Sequence, residues 1–191
     1  GYGDILIVDG IDVMFMYFTI EEMEGYLDEA LQGNHLDRVG GFYPTGRLSS
    51  VESINILYET NSIWTKLKEK VKKYPAELFE KLYNYHISNA LDEDDLGRVI
   101  LRKEVMFYHN VLENSIDHIL QALFAVNVTY FPSRKRSEQY IRGFEYKPAD
   151  CYERLLRIIE NSVAPQNMDE SVKELRDIIM EIKEIGIMIY K

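Results

Sequence analysis

The sequence predicts a mainly α protein of α+β class: a short N-terminal β-hairpin followed by an antiparallel helical bundle. Two observations carry that prediction. Two apolar runs, Ile5–Val8 and Ile11–Phe18, meet at Asp9-Gly10, and almost everything after Thr19 repeats its apolar residues at helical spacing. With 191 residues, 46% of them hydrophobic, the chain is long enough to bury one sizeable core.

The hairpin comes first. Asp-Gly suits a type I′ turn, whose two central residues need positive φ, and a two-residue loop sets Val8 opposite Ile11 and Ile7 opposite Asp12. Both runs are too apolar for a solvated ribbon, so these strands call for a larger sheet or a covering helix. Thr19-Ile20-Glu21-Glu22 reads as a capping box opening a helix through Met23, Tyr26, Leu27, Ala30 and Leu31, which Gly33-Asn34 ends. Residues 33–46, with Pro44 and the turn glycines Gly40-Gly41, form a loop. Helices are expected over 48–58, 61–73 and 76–90, the break at Tyr74-Pro75 following from the conformational limit proline places on its predecessor. The acidic run Asp92–Asp95 caps what reads as the longest helix, 95–126, apolar over much of its circumference; Phe131-Pro132 closes it. Helices over 136–144, 149–162 and 169–189 complete the bundle.

Charge and composition narrow the function classes. Twenty-two Lys+Arg against 32 Asp+Glu leave a formal charge of −10, which argues against general nucleic-acid binding. A single cysteine, Cys151, excludes an intramolecular disulfide and a cysteine metal knuckle, and fits a cytoplasmic protein. No apolar run is long enough for a membrane span. The chain begins at Gly1 without an initiator Met, which suggests a removed leader or a longer polypeptide.

Three groups of residues can carry chemistry. Asp12 is a carboxylate within an apolar strand, the placement used to present an oxygen ligand to a divalent metal; the alternative is a side chain bonded to its own turn. Arg102 and His109 lie seven positions apart, roughly two helical turns, so one continuous helix would project both from one face, where Arg holds a phosphate and His moves a proton. The alternative is a solvated Arg and a His bonded to a neighbour. Arg134 and Lys135, within Tyr130-Phe131-Pro132-Ser133-Arg134-Lys135-Arg136, make a phosphate-binding corner with aromatics able to stack a base, or else an ordinary charged surface. The lysines at 66, 68, 70, 72 and 73 read as the outer face of an amphipathic helix, and His35, His86 and His118 as structural.

Gly10-Ile11-Asp12-Val13-Met14-Phe15 followed by Thr19-Ile20-Glu21-Glu22 resembles the end of the catalytic core in the nucleotidyltransferase superfamily. The remainder, through Ile56-Leu57-Tyr58, Phe107-Tyr108-His109, Leu120–Asn127 and Tyr130–Arg136, is similar to the helical C-terminal domain of kanamycin-nucleotidyltransferase-type enzymes and to HEPN domains. The resemblance implies two parts: 1–46, the end of an α/β core, and 47–191, a helical bundle. It implies transfer of an NMP unit from a nucleoside triphosphate to an acceptor with Mg²⁺, Asp12 serving as a metal ligand and catalytic carboxylate. Arg134, Lys135, Arg102 and His109 would then lie near phosphates. The family carries a Gly-Ser loop and an Asp-x-Asp pair ahead of this strand, and the residues given before Ile11 hold neither, so the chain alone is expected to be inactive, with a nucleotidyltransferase core or a second copy as partner. The Arg102–His109 spacing also fits the loose pattern of metal-independent HEPN ribonucleases, although Lys103 stands where those carry a polar residue. A non-catalytic interaction module is the third reading.

Overall fold

A computed structural model describes residues 2–38 and 41–190. Strands β1 (Tyr2–Val8) and β2 (Ile11–Tyr17) form the antiparallel hairpin, with Ile7 opposite Asp12 and Val8 opposite Ile11 as the turn chemistry requires. Asp9 and Gly10 both take positive φ, 51° and 78°, the signature of the type I′ connection. Helix α1 (Ile20–Leu31) opens on the capping box: Thr19 Oγ1 accepts from the Glu22 amide at 3.1 Å, and Glu22 Oε2 accepts from the Thr19 amide at 2.9 Å. Gly33 leaves this helix at φ 65°, Gly41 also takes positive φ, and the predicted turn residue Gly40 lies outside the described residues.

Helix α2 (Gly46–Ser53) is shorter than the expected 48–58, because the backbone turns extended at Ile54 and runs irregularly to Ser62. Helices α3 (Ile63–Val71) and α4 (Ala76–Asn89) follow the predicted pattern, split by Tyr74-Pro75. The lysines of α3 do lie outside its buried residues Leu67 and Val71; Lys70 pairs with Asp28 at 2.5 Å, and Lys68 donates to the Ile54 carbonyl.

The long helix expected over 95–126 is two helices, α5 (Glu93–Arg102) and α6 (Val105–Val126). Asp92 caps α5 by accepting from the Asp95 amide, and Lys103 ends it in the left-handed region at φ 56°. The physical reason is a change of phase. The buried residues of α5 are Leu96 and Val99, whereas early α6 buries Tyr108, Val111, Leu112 and Ser115. On one straight helix those two sets would sit about half a turn apart, and only a break at Lys103-Glu104 lets both face the core.

From His118 to Val126 every residue of α6 is buried, and the helix packs against α4, α5, α8 and α9. Phe124 meets Phe131 and Phe144 edge-on, with ring centroids 4.9 Å apart in both pairs. Helices α7 (Ser137–Gly143), α8 (Cys151–Ser162) and α9 (Met168–Tyr190) close the bundle, with a short 3-10 turn, Pro165–Asn167, before α9. No helix among the described residues is long and apolar enough to cross a membrane.

Candidate functional site

The structure separates the residues that the sequence singled out. Asp12 is exposed on β2, two residues beyond the hairpin turn, and lines none of the four cavities described below. Arg102 is the exposed last residue of α5, and His109 lies in the second turn of α6, where its Nε2 and Ser162 Oγ are 3.0 Å apart. The expected shared face of Arg102 and His109 is therefore corrected, because helical spacing has no meaning across the break at Lys103.

In the basic corner the neighbouring cations diverge. Arg134 turns inward: Nε donates to Asp117 Oδ1 at 2.5 Å and Nη2 to the Glu113 carbonyl at 2.8 Å. Against the burial that would lower it, the bond to Asp117 and that carboxylate's charge hold the Arg134 pKa up. Its partners are the protein's own, so it acts as a clamp on α6. Tyr130 and Phe131, expected to offer stacking surfaces, are buried; Tyr130 donates to the Val71 carbonyl and stacks on Tyr74 at 4.8 Å. Lys135 stays exposed, with no ion pair among the described residues, and lines a cavity.

That cavity, about 450 Å³, is a groove at the foot of the hairpin. Its walls are Phe18 after β2, Tyr26 of α1, Arg47 and Ser50 of α2, Trp64 of α3, and Ser133 with Lys135 across from them. The far wall is fixed to α2 by close contacts. Thr45 Oγ1 donates to the Phe131 carbonyl at 3.0 Å, and a Cβ added at Gly46 would stand 2.9 Å from the Pro132 oxygen, so only glycine allows this approach. Tyr43 packs edge-on against Phe131 at 4.7 Å and donates to Asp117 at 2.7 Å; burial first, then that carboxylate, raises its pKa. The Arg134–Asp117–Tyr43 cluster thus holds the segment that carries Ser133 and Lys135.

Arg47 is the central cation of the groove. Its guanidinium carbon lies 4.3 Å from the Phe18 ring centre and 4.5 Å from that of Tyr26. Among the described residues no carboxylate pairs with it. The sequence held one signal for it: Arg47 is in the first turn of a helix with no acidic residue there, the end of the dipole that disfavours a cation. Two further cavities, of about 250 and 260 Å³, share its walls: the first Tyr26, Phe42 and Arg47, the second Phe18, Met23 and Trp64.

A contrasting cavity of about 600 Å³ lies at the α4–α5 end, lined by Asp37, Asp92, Glu93, Asp94 and His118. Behind it, the Nδ1 atoms of His86 and His118 are 2.9 Å apart, a distance that requires one ring to donate a proton to the other. Burial, then the neighbouring His118, pushes the His86 pKa down to about 3, and burial lowers that of His118 too. Among the described residues no three His, Cys, Asp or Glu side chains are grouped to hold a metal ion.

Residues 42–136 match a family model described as a domain of unknown function, DUF4037. The matched span begins at one wall of the groove, with Phe42 and Arg47, and ends just past the other, with Ser133 and Lys135. No curated protein and no solved structure matches the chain.

Proposed function

We propose that this chain is part of a nucleotidyltransferase-type protein that transfers an NMP unit from a nucleoside triphosphate to an acceptor. In this reading the hairpin belongs to the sheet of the catalytic core, and the helical bundle lines the substrate side. The observation that carries it is the hairpin itself. Ile5, Ile7 and Met14 are 62%, 73% and 70% exposed, and Leu6, Val8 and Ile11, which alternate with them, are also exposed. Successive strand residues point to opposite faces, so both faces of this ribbon are apolar and uncovered. Continuous apolar strands of that kind belong inside a sheet covered on both sides, the setting of an α/β core.

Asp12 alone does not make a site for Mg²⁺, which takes several oxygen ligands in near-octahedral order. The proposal gives Asp12 the place of one carboxylate ligand, the others coming from the core that completes the sheet. Activity then belongs to the completed core, and this chain by itself leaves NTP unconverted.

Calorimetry tests the reading. Titrating the polypeptide as the cell makes it with each NTP, in the presence and absence of Mg²⁺, should show metal-dependent binding that Asp12→Asn weakens. Absence of metal-dependent heat with all four NTPs overturns it.

A further inference from the structure

We infer that the groove at the foot of the hairpin is a metal-independent site for a mononucleotide, a planar ring carrying one phosphate. The inference stands on the groove and does not require the transferase reading. Its first support is charge. In a chain with ten more acidic than basic residues, the groove lining holds two cations, Arg47 and Lys135, and no carboxylate. A cavity with that lining favours an anion, and the hydroxyls of Ser50 and Ser133 add neutral donors.

The second support is the way Arg47 is held. Its guanidinium carbon lies over both the Phe18 and the Tyr26 ring, and the N–H donors of that group radiate in its own plane. These two ring contacts restrain the group. Among the described residues no carbonyl or carboxylate accepts from it. A phosphate oxygen pair matches such a fork.

The third support is the aromatic lining. Trp64 is half-buried and Phe42 is 67% exposed, and both line the same cavity as the two cations. Aromatic faces beside a phosphate donor set are the pattern that holds a base together with its phosphate. At about 450 Å³ the groove lies in the size range of small-molecule sites. A nucleic-acid strand is disfavoured, because the phosphates beyond the first would meet a surface of net charge −10.

Trp64 is the sole tryptophan of the chain, so its fluorescence reports the groove directly. The chain is titrated with AMP in EDTA, followed by Trp64 fluorescence and by calorimetry, with adenosine, inorganic phosphate and a trinucleotide as parallel probes. The expected result is saturable AMP binding, at least about tenfold tighter than either adenosine or phosphate alone. Lys135→Gln, an exposed change that leaves the fold intact, should weaken AMP several-fold, and Arg47→Lys should weaken it about tenfold by replacing the fork with a point charge. The inference is overturned if AMP gives neither a fluorescence change nor heat at millimolar concentration. It is equally overturned if phosphate or the trinucleotide binds as well as AMP, or if Lys135→Gln binds AMP like the unaltered chain. Because the titration contains no metal, it is independent of the Mg²⁺-dependent NTP binding that tests the transferase proposal.

Discussion

From His118 to Val126 every residue of α6 is buried, whereas from Ile5 to Val8 every residue of β1 is exposed, although both stretches are largely apolar. The helix satisfies its own backbone and meets apolar neighbours from α4, α8 and α9. The ribbon has one hydrogen-bonded partner strand and no layer on either face among the described residues. Hydrophobicity therefore predicts burial only where a second layer exists to receive it. The same difference makes the bundle the packed part of this chain and the hairpin its exposed part.

The sharpest way to break this contrast is to cut side chains from both regions. Phe124→Ala, which opens the centre of an aromatic cluster, should cost about 3–5 kcal/mol in urea-induced unfolding. Ile7→Thr in the hairpin, measured on these 191 residues by themselves, should change stability by less than about 0.5 kcal/mol. A hairpin change as costly as the core change would mean that the ribbon already packs on the bundle.

The buried part of α6 holds two polar residues, Gln121 and His118, and the latter is in contact with His86 and faces Asp37 and Asp117. His86 has a folded pKa lowered to about 3 by burial, so between that value and the ordinary range near 6.5 the unfolded chain binds the extra proton. Stability should accordingly be full above pH 6.5 and fall by a few kcal/mol as the pH drops toward 3. His86→Gln should flatten that acid limb in pH-dependent thermal melts; an unchanged limb would place the acid sensitivity elsewhere.

Smaller effects distinguish the two adjacent cations. Arg134→Ala leaves the largely buried Asp117 carboxylate without its main partner and should cost about 1–2 kcal/mol. Lys135→Ala should stay within about 0.5 kcal/mol of the unaltered chain. Smallest of all, glycine in place of alanine at position 103 (Lys103→Gly against Lys103→Ala, both of which lose the ion pair with Asp169) should stabilise by up to about 1 kcal/mol, because glycine accepts the left-handed geometry at φ 56°. In a helix continuous from 93 to 126 the same change would destabilise by about as much, so its sign tests the break.

Local chemistry was legible in the sequence. Asp9-Gly10 set the hairpin register, Thr19 with Glu22 marked the start of α1, and Pro75 marked the gap before α4. The break at Lys103 was harder to see because neither it nor Glu104 is a glycine or a proline. The signal was the rotation of the apolar stripe between Val99 and Tyr108, read as one broad face instead of two faces of different phase. Of the candidate site, only Lys135 and Ser133 came from a conspicuous motif. Arg47, Phe18 and Trp64 belong to separate elements that meet only in the folded chain, and no local periodicity reports such a meeting.

The central claim is that the ribbon β1–β2 is a piece of a larger sheet. In an antiparallel pair alternate amides point away from the partner strand, and only a further strand can bond them. Amide hydrogen exchange over residues 2–17, measured residue by residue in the polypeptide as the cell makes it, reads those outward amides directly. Slow exchange at both the inward and the outward set is the result expected; outward amides exchanging at the rate of open chain, while the inward ones stay slow, would contradict the account.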